Sequence, residues 1–334
     1  MKIFLIFFLL VNSSFANEER ALIYGKSYED SWFPLTYIIN GTIDVAQNDY
    51  WFNQKNFSEK MRELNQRLEN PHRSIKNDGG YGKLLKDEFL STRVFPNILL
   101  HTLGGGYDTL WLKEYFENYD YPAPWAFAVL TSFIARYGNE VLEVTEGQIT
   151  SHDHIADLFF FDIAGVFLAQ NPVWMKFLVK DLGMTAWHFQ PMWELEKDDF
   201  RNAGLNYIIR PEALRFHEKF TPFFFFGMQN MLGLSFQYKE ERQLSIASGI
   251  FFTDPLEQKA KLVSALFWEK QTELAASLFI NGSENFRWRL NLYPALFGYQ
   301  SGLKMGLLIA ETYEREDYAL GINLNLPFGL LNTF

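Results

Sequence analysis

The 334-residue chain contains no cysteine. That absence removes a disulfide framework, a thiol nucleophile and a lipoprotein-type anchor, and it leaves any zinc site to histidine and carboxylates alone. Beyond the first sixteen residues no uninterrupted apolar run is long enough for a membrane-spanning helix of the usual kind. Lys and Arg form no cluster either. The formal net charge is −10, and Lys2 is the only charge in residues 1–16, so their removal leaves −11. Nucleic acid is therefore not an expected partner. HExxH, GxSxG and P-loop patterns are absent; Gly104-Gly105-Gly106 is followed by Tyr107-Asp108 where a phosphate cradle requires Lys and Ser/Thr.

What is present is aromatic and periodic. Aromatic residues make up 18% of the chain, with 34 Phe and 9 Trp. Met1–Ala16 reads as a secretory signal peptide: Lys2, an apolar core over 3–11 and a small-residue ending at Ser14-Phe15-Ala16. Residues 17–93 are polar and mixed. Within them, Asn40-Gly41 between two apolar runs predicts a hairpin over 37–45, and Met61, Leu64 and Leu68 predict one surface helix over 58–69. Residues 94–182 read as a helical unit with segments at 95–112, 125–144, 155–169 and 173–182, the first broken at its three glycines.

After Gly183 the period changes to two. Phe286-Arg287-Trp288-Arg289-Leu290-Asn291-Leu292 alternates apolar and polar faces, and the even-numbered alternation from Tyr318 runs on to Phe334, with Pro327 inside it. About nine strands are expected, at 185–195, 204–210, 228–238, 243–252, 261–269, 273–281, 286–293, 302–311 and 317–326, with 211–226 irregular. The fold class is α+β: an N-terminal helical unit, then an antiparallel up-and-down β-barrel of about eight to ten strands over 184–334, the tenth strand coming from the 33–45 region. Trp288, Leu290, Leu320, Ile322 and Leu324 are expected to face lipid, and Arg287, Arg289, Asn323 and Asn325 the interior, where the arginines would pair with Glu194, Glu269 or Glu311.

Chemistry-bearing residues concentrate in the helical unit. His101 lies in an apolar stretch, Glu140, Glu143 and Glu146 recur every three residues, and Asp157 and Asp162 are embedded in an apolar helix. Buried carboxylates require partners, and His101, His154 or Arg136 are available. The candidate catalytic set is His101, Glu140, Glu143 and Asp157, meeting either as an acid/base or metal site or as a structural polar network. No cofactor is named by the sequence, and whether the set holds a metal stays open.

The pattern His101-x-x-Gly104, Tyr137-Gly138-x-Glu140 with Glu146, and Asp157-Leu158 followed by Gly165 resembles an uncharacterised family of bacterial envelope proteins, a domain of unknown function distantly like the VanZ-like and YfiM-type helical proteins. The resemblance covers residues 97–167 and departs from the family at His154 and Asp162. It implies an envelope location and helical hairpin packing, and it supplies no reaction. Two functions are expected: an outer-membrane envelope protein whose helical unit plugs or docks on a small barrel in contact with outer-membrane lipid, or an envelope enzyme acting on lipid or glycan. The periplasm is the alternative location.

Overall fold

The computed structural model describes residues 22–23, 33–91, 97–145, 149–254, 259–298, 304–313 and 317–334. The expected signal peptide, Glu146 and the starts of the 95–112 and 302–311 segments lie outside them. The chain is α+β: the described residues hold helices up to residue 181 and then thirteen strands in one mostly antiparallel sheet, with short helical turns at Glu212–Leu214 and Pro294–Phe297.

Helices occupy Phe33–Ile43, Phe57–Glu69, Pro71–Asn77, 81–89, 98–118, Pro124–Glu143, Ser151–Ala169 and Pro172–Asp181. The hairpin expected over 37–45 is a helix. Asn40-Gly41 is not a turn there: Gly41 lets that helix cross the 124–143 helix closely, since a Cβ on it would lie 2.8 Å from Ala135 Cβ. Nor does this region supply a tenth strand. Pro71 opens the next helix at its first turn, where its missing N–H costs nothing. Gly104–Gly106 do not break the helix: 98–118 runs through them, with Gly104 close against Tyr207 and Gly106 close against Gly165 and Leu168 of the 151–169 helix. A Cβ on Gly165 would meet His101 O at 2.6 Å and Gly106 N at 3.2 Å. No single described helix is long and apolar enough to cross a membrane; Ser151–Ala169 and Pro172–Asp181, bent by 82°, reach that length and composition only together.

The strands are β1 (Thr185–Ala186), β2 (Met192–Glu194), β3 (Asp199–Arg201), β4 (Tyr207–Ile209), β5 (Phe220–Phe226), β6 (Gln229–Lys239), β7 (Arg242–Asp254), β8 (Lys259–Lys270), β9 (Glu273–Ile280), β10 (Phe286–Leu292), β11 (Met305–Thr312), β12 (Tyr318–Leu324) and β13 (Gly329–Thr333). β5 to β13 form an uninterrupted meander, flanked by β4 and β1 on one side and by β2 and β3 on the other. Among the described residues the strand ladder is not closed into a barrel by hydrogen bonds, and it counts thirteen strands where eight to ten were expected. The run from Tyr318 to Phe334 is two strands, reversed at Asn325, whose φ is 56°.

The four short strands have a common register. Thr185 lies opposite Ile208 and Ala186 opposite Tyr207. The Trp187 amide then donates to Asn206 O and the Phe189 amide to Gly204 O. Met192 comes next, opposite Arg201, and Glu194 lies opposite Asp199. Residues 185–194 and 199–209 are therefore two arms of one hairpin. One arm adds to β5 through β4, and the other adds in parallel to β13 through β2.

This hairpin is covered on both sides. Trp187, Phe189 and Ile208 pack with Phe225, Phe267 and Phe279 on the inner face, whereas Met184 and Tyr207 pack with the helical core. β5 continues the pattern, with Phe225 turned to the inner cluster and Phe226 to the helical one. That explains why Phe223–Phe226 shows no period of two and why 211–226 is not wholly irregular: a strand buried on both faces loses its alternation.

The rest of the sheet keeps a clean inside and outside. Ala247, Ala265, Ser277, Leu308, Ala310 and Ala319 are buried. On the opposite face, Leu234, Ile246, Leu266, Leu278, Leu290, Ile309 and Leu320 are successive cross-strand neighbours on seven consecutive strands. A second register row runs Phe236, Leu244, Trp268, Ala276, Leu292, Leu307, Ile322 and Leu330. Many of these side chains are open to the surroundings, Ile246 at 59% and Leu320 at 52%. Lys239, Arg242, Lys270 and Glu273 close the sequence of rows at one end.

Arg289 is buried, but no carboxylate pairs with it among the described residues. Its guanidinium donates to Gln47 Oε1 at 3.1 Å and lies 3.8 Å from the Phe189 ring centroid. Arg287 does not face the interior: a register shift between Phe286 and Trp288 leaves it half-exposed, 2.8 Å from Glu311. Glu194 and Glu269 pair with Arg201 and Arg210 instead.

Candidate functional site

Three helices, 98–118, 124–143 and 151–169, meet around a buried polar cluster. The contact at Gly165 draws the 151–169 helix onto the backbone of residues 101–106. His101 and Asp157 both sit in π-helical turns, Ile98–Gly104 and Asp157–Phe161, and Glu88 sits in a third, Leu85–Phe89. A π-turn inserts one extra residue and rotates the remainder of its helix, a device frequent at functional sites.

One ligand-type atom each from His101, Glu140 and Asp157 lies within 4.8 Å of the others, and all three residues are buried. His101 Nε2 is 3.5 Å from Asp157 Oδ2, and its Nδ1 is 2.8 Å from Asp162 Oδ1. Asn97 Nδ2 donates to Asp157 Oδ1 at 3.2 Å. Glu140 Oε2 is 2.8 Å from His154 Nδ1. Arg67 Nη1 lies 2.9 Å from His154 Nε2, and a guanidinium only donates, so Nε2 accepts. The His154 ring is therefore neutral, with its proton on Nδ1, donating to Glu140.

Negative charge dominates. Burial, reinforced by Asp153 and Asp162, pushes the Glu140 carboxyl well above the usual carboxylate range, with Arg136 opposing. Burial, then the charges of Glu140, Asp153, Glu143 and Glu88, does the same to Asp157. Glu140 Oε1 has no hydrogen-bond partner among the described residues. Such a site must hold protons or a cation.

Glu143, the fourth candidate, is not part of the triad. It is half-buried at the end of its helix and accepts from Asn139 Nδ2 at 2.8 Å, reaching Asp157 only through its charge. Ser151 is a donor to Asp78 Oδ2 at 2.6 Å, which leaves it no nucleophile's geometry.

A second buried network joins the helices to the hairpin. Arg136 donates to Leu100 O at 2.9 Å and stands 3.8 Å from Asp108 and 3.9 Å from Asp162. The Tyr207 hydroxyl donates to Asp108 Oδ2, and His188 Nε2 is 3.5 Å from Oδ1. Burial works against the Arg136 charge, but Tyr37, Tyr207, Asp162 and Asp108 outweigh it and hold the guanidinium above its usual value. Beside this network lies a cavity of about 160 Å³ lined in part by Tyr37, Trp111, Trp187, His188 and Tyr293; none of the four sequence candidates lines it.

The helix at 33–43 and the turn after it clamp the hairpin through backbone groups. Asn40 Nδ2 donates to Phe189 O at 3.0 Å, Gly204 N donates to Asn40 Oδ1 at 3.1 Å, and Leu205 N donates to Asp44 Oδ1 at 2.8 Å. Burial pushes the Asp44 carboxyl from 3.8 to about 6, against the Leu205 amide, Arg136, His188 and Gln47, which lower it. A carboxyl raised on folding binds its proton more tightly in the native state. Its contribution is therefore full below the unfolded value near 3.8 and is lost as pH rises through about 6. Asp44→Asn is expected to remove a loss of about 3 kcal/mol between pH 4 and 7. Denaturant midpoints measured across that range should diverge, the variant being the more stable at pH 7; parallel curves would contradict the assignment.

Sequence reasoning left out Asp153, Glu88 and Asn97 from the cluster and Asp108, Tyr207 and His188 from the second network. Asp108 and His188 stand beside Tyr107 and Trp187, and no local pattern marks them. Comparison with family models, with curated proteins and with solved structures finds no match.

Proposed function

We propose that the chain is an exported outer-membrane envelope protein, in which the sheet is immersed in lipid and the helical unit docks on one wall of it. The observation that carries this reading is the pair of apolar register rows on the outer face of β6 to β13. A continuous apolar belt of this extent on an exposed sheet face calls for a lipid or protein cover. The inner face, with its Ala, Ser and Gly, is written for a packed interior, and Trp268, Trp288 and Tyr318 stand toward the ends of the strands as an aromatic girdle would.

Closure into a barrel is part of the proposal. It is supported by the common register of the two hairpin arms, because one hairpin adds to β5 on one side and to β13 on the other. Joining both edges of the sheet to the same hairpin would leave it no free edge, which is what lipid requires. The helical unit then packs outside that hairpin as a docked domain, and its resemblance to envelope helical proteins over 97–167 belongs to the same reading.

The second reading, an enzyme acting on lipid or glycan, draws on the approach of His101, Glu140 and Asp157. Their burial opposes it, since a catalytic acid or base must reach its substrate. A structural or binding role is therefore the stronger of the two. In cell fractionation the mature protein is expected in the outer membrane, needing detergent for release and migrating differently in heated and unheated gels. Recovery as a detergent-free periplasmic monomer would replace this reading with a soluble sheet protein.

A further inference from the structure

We infer that His101, Glu140 and Asp157 are the protein ligands of a single divalent first-row transition cation buried between the three helices. Such a site is independent of whether the sheet sits in lipid. Four observations converge on it.

The ligand-type atoms are mutually within reach of one ion. The 3.5 Å between His101 Nε2 and Asp157 Oδ2 is close to the separation of about 3.4 Å expected for two ligands held tetrahedrally at about 2.1 Å. Glu140 is fully buried, and its Oε1 has no hydrogen-bond partner among the described residues, while Oε2 is held by His154. A buried carboxylate oxygen left over in this way is the third ligand atom.

Each proposed ligand also has an orienting partner. His101 uses Nδ1 on Asp162, which fixes its Nε2 toward Asp157. This carboxylate–histidine arrangement is the usual support of a metal-bound imidazole. His154 orients Glu140, and Asn97 orients Asp157. These orienting contacts still leave the buried Glu140 Oε1 without a hydrogen-bond partner among the described residues. Finally, the buried carboxylates Glu88, Glu140, Asp153 and Asp157 gather where Arg136 is the nearest buried cation, and a +2 ion relieves their mutual repulsion. One nitrogen and two oxygens without sulfur suit Zn²⁺, Mn²⁺ or Fe²⁺.

The test uses the purified full chain, stripped with a chelator and then equilibrated with Zn²⁺ or Mn²⁺, with metal content read by plasma mass spectrometry. About one equivalent per chain is expected, and the melting temperature should rise on loading. Glu140→Gln and Asp157→Asn, which keep side-chain size, should each abolish that equivalent, while Glu143→Gln keeps it. Asp162→Asn, altering a positioning residue, should weaken binding about 10- to 100-fold. Co²⁺ loaded into the wild-type chain supplies a readout that needs no variant: absorption bands of a low-symmetry site with nitrogen and oxygen ligands. A folded wild-type chain that takes up no stoichiometric metal overturns the proposal. So does full occupancy in Glu140→Gln, or a chelated protein that melts at the same temperature as the loaded one.

Discussion

Ile246→Arg is expected to destabilise the protein by about 2–4 kcal/mol if the outer face of β7 sits in lipid, the cost of an arginine near the bilayer midplane on a strand's lipid side. Ile246 lies between Leu234 and Leu266, second of the seven residues in the aliphatic row, and is 59% exposed. An equally exposed site in water would tolerate the same change within about 0.5 kcal/mol. The two environments thus differ by several-fold in effect at one residue. Folding titrations into lipid bilayers measure it directly, and a near-neutral result in bilayers would remove lipid from the outer face. Lys270→Arg, at the charged end of β8, provides the comparison and should change little.

The sheet was legible where one face is buried and the other is not. β7, β8 and β10 alternate because Ala247, Ala265 and Arg289 go inward while Ile246, Leu266 and Leu290 go outward. Alternation fails at the hairpin and at the end of β5, where helices cover the second face, so Phe223–Phe226 reads as an apolar block. Turn chemistry misled at Asn40-Gly41. The pair is there for close helix crossing and for binding the hairpin backbone, and both are tertiary facts that a local pattern does not contain.

Within the candidate site, His101, Glu140 and Asp157 stood out because charge in an apolar helix is costly without partners. Spacing from Glu140 places Glu143 with them, but at the helix end that side chain takes Asn139 as a partner. His154 and Asp162 are the side chains that hold Glu140 and His101. Their roles depend on π-turns and on the Gly165 contact, neither of which has a signature in a single sequence.

Arg136 carries the other large effect. Its guanidinium is buried between Asp108 and Asp162 and also holds the Leu100 carbonyl, so it serves both the candidate cluster and the network that reaches Tyr207 on the hairpin. Arg136→Met keeps much of the apolar stem but leaves two buried carboxylates without their cation. Breaking a buried pair from one side typically costs about 3–5 kcal/mol. Arg136→Lys should recover only part of that, because one ammonium cannot span both carboxylates and the Leu100 carbonyl as the planar guanidinium does. Adding Asp108→Asn to Arg136→Met removes one of the stranded charges and should restore stability, so the double variant is expected to be more stable than Arg136→Met alone. Chemical denaturation of the three variants checks the order. A double variant no better than Arg136→Met would mean that Arg136 acts through packing, and that the charge at Asp108 is compensated from elsewhere, with His188 the nearest group able to do it.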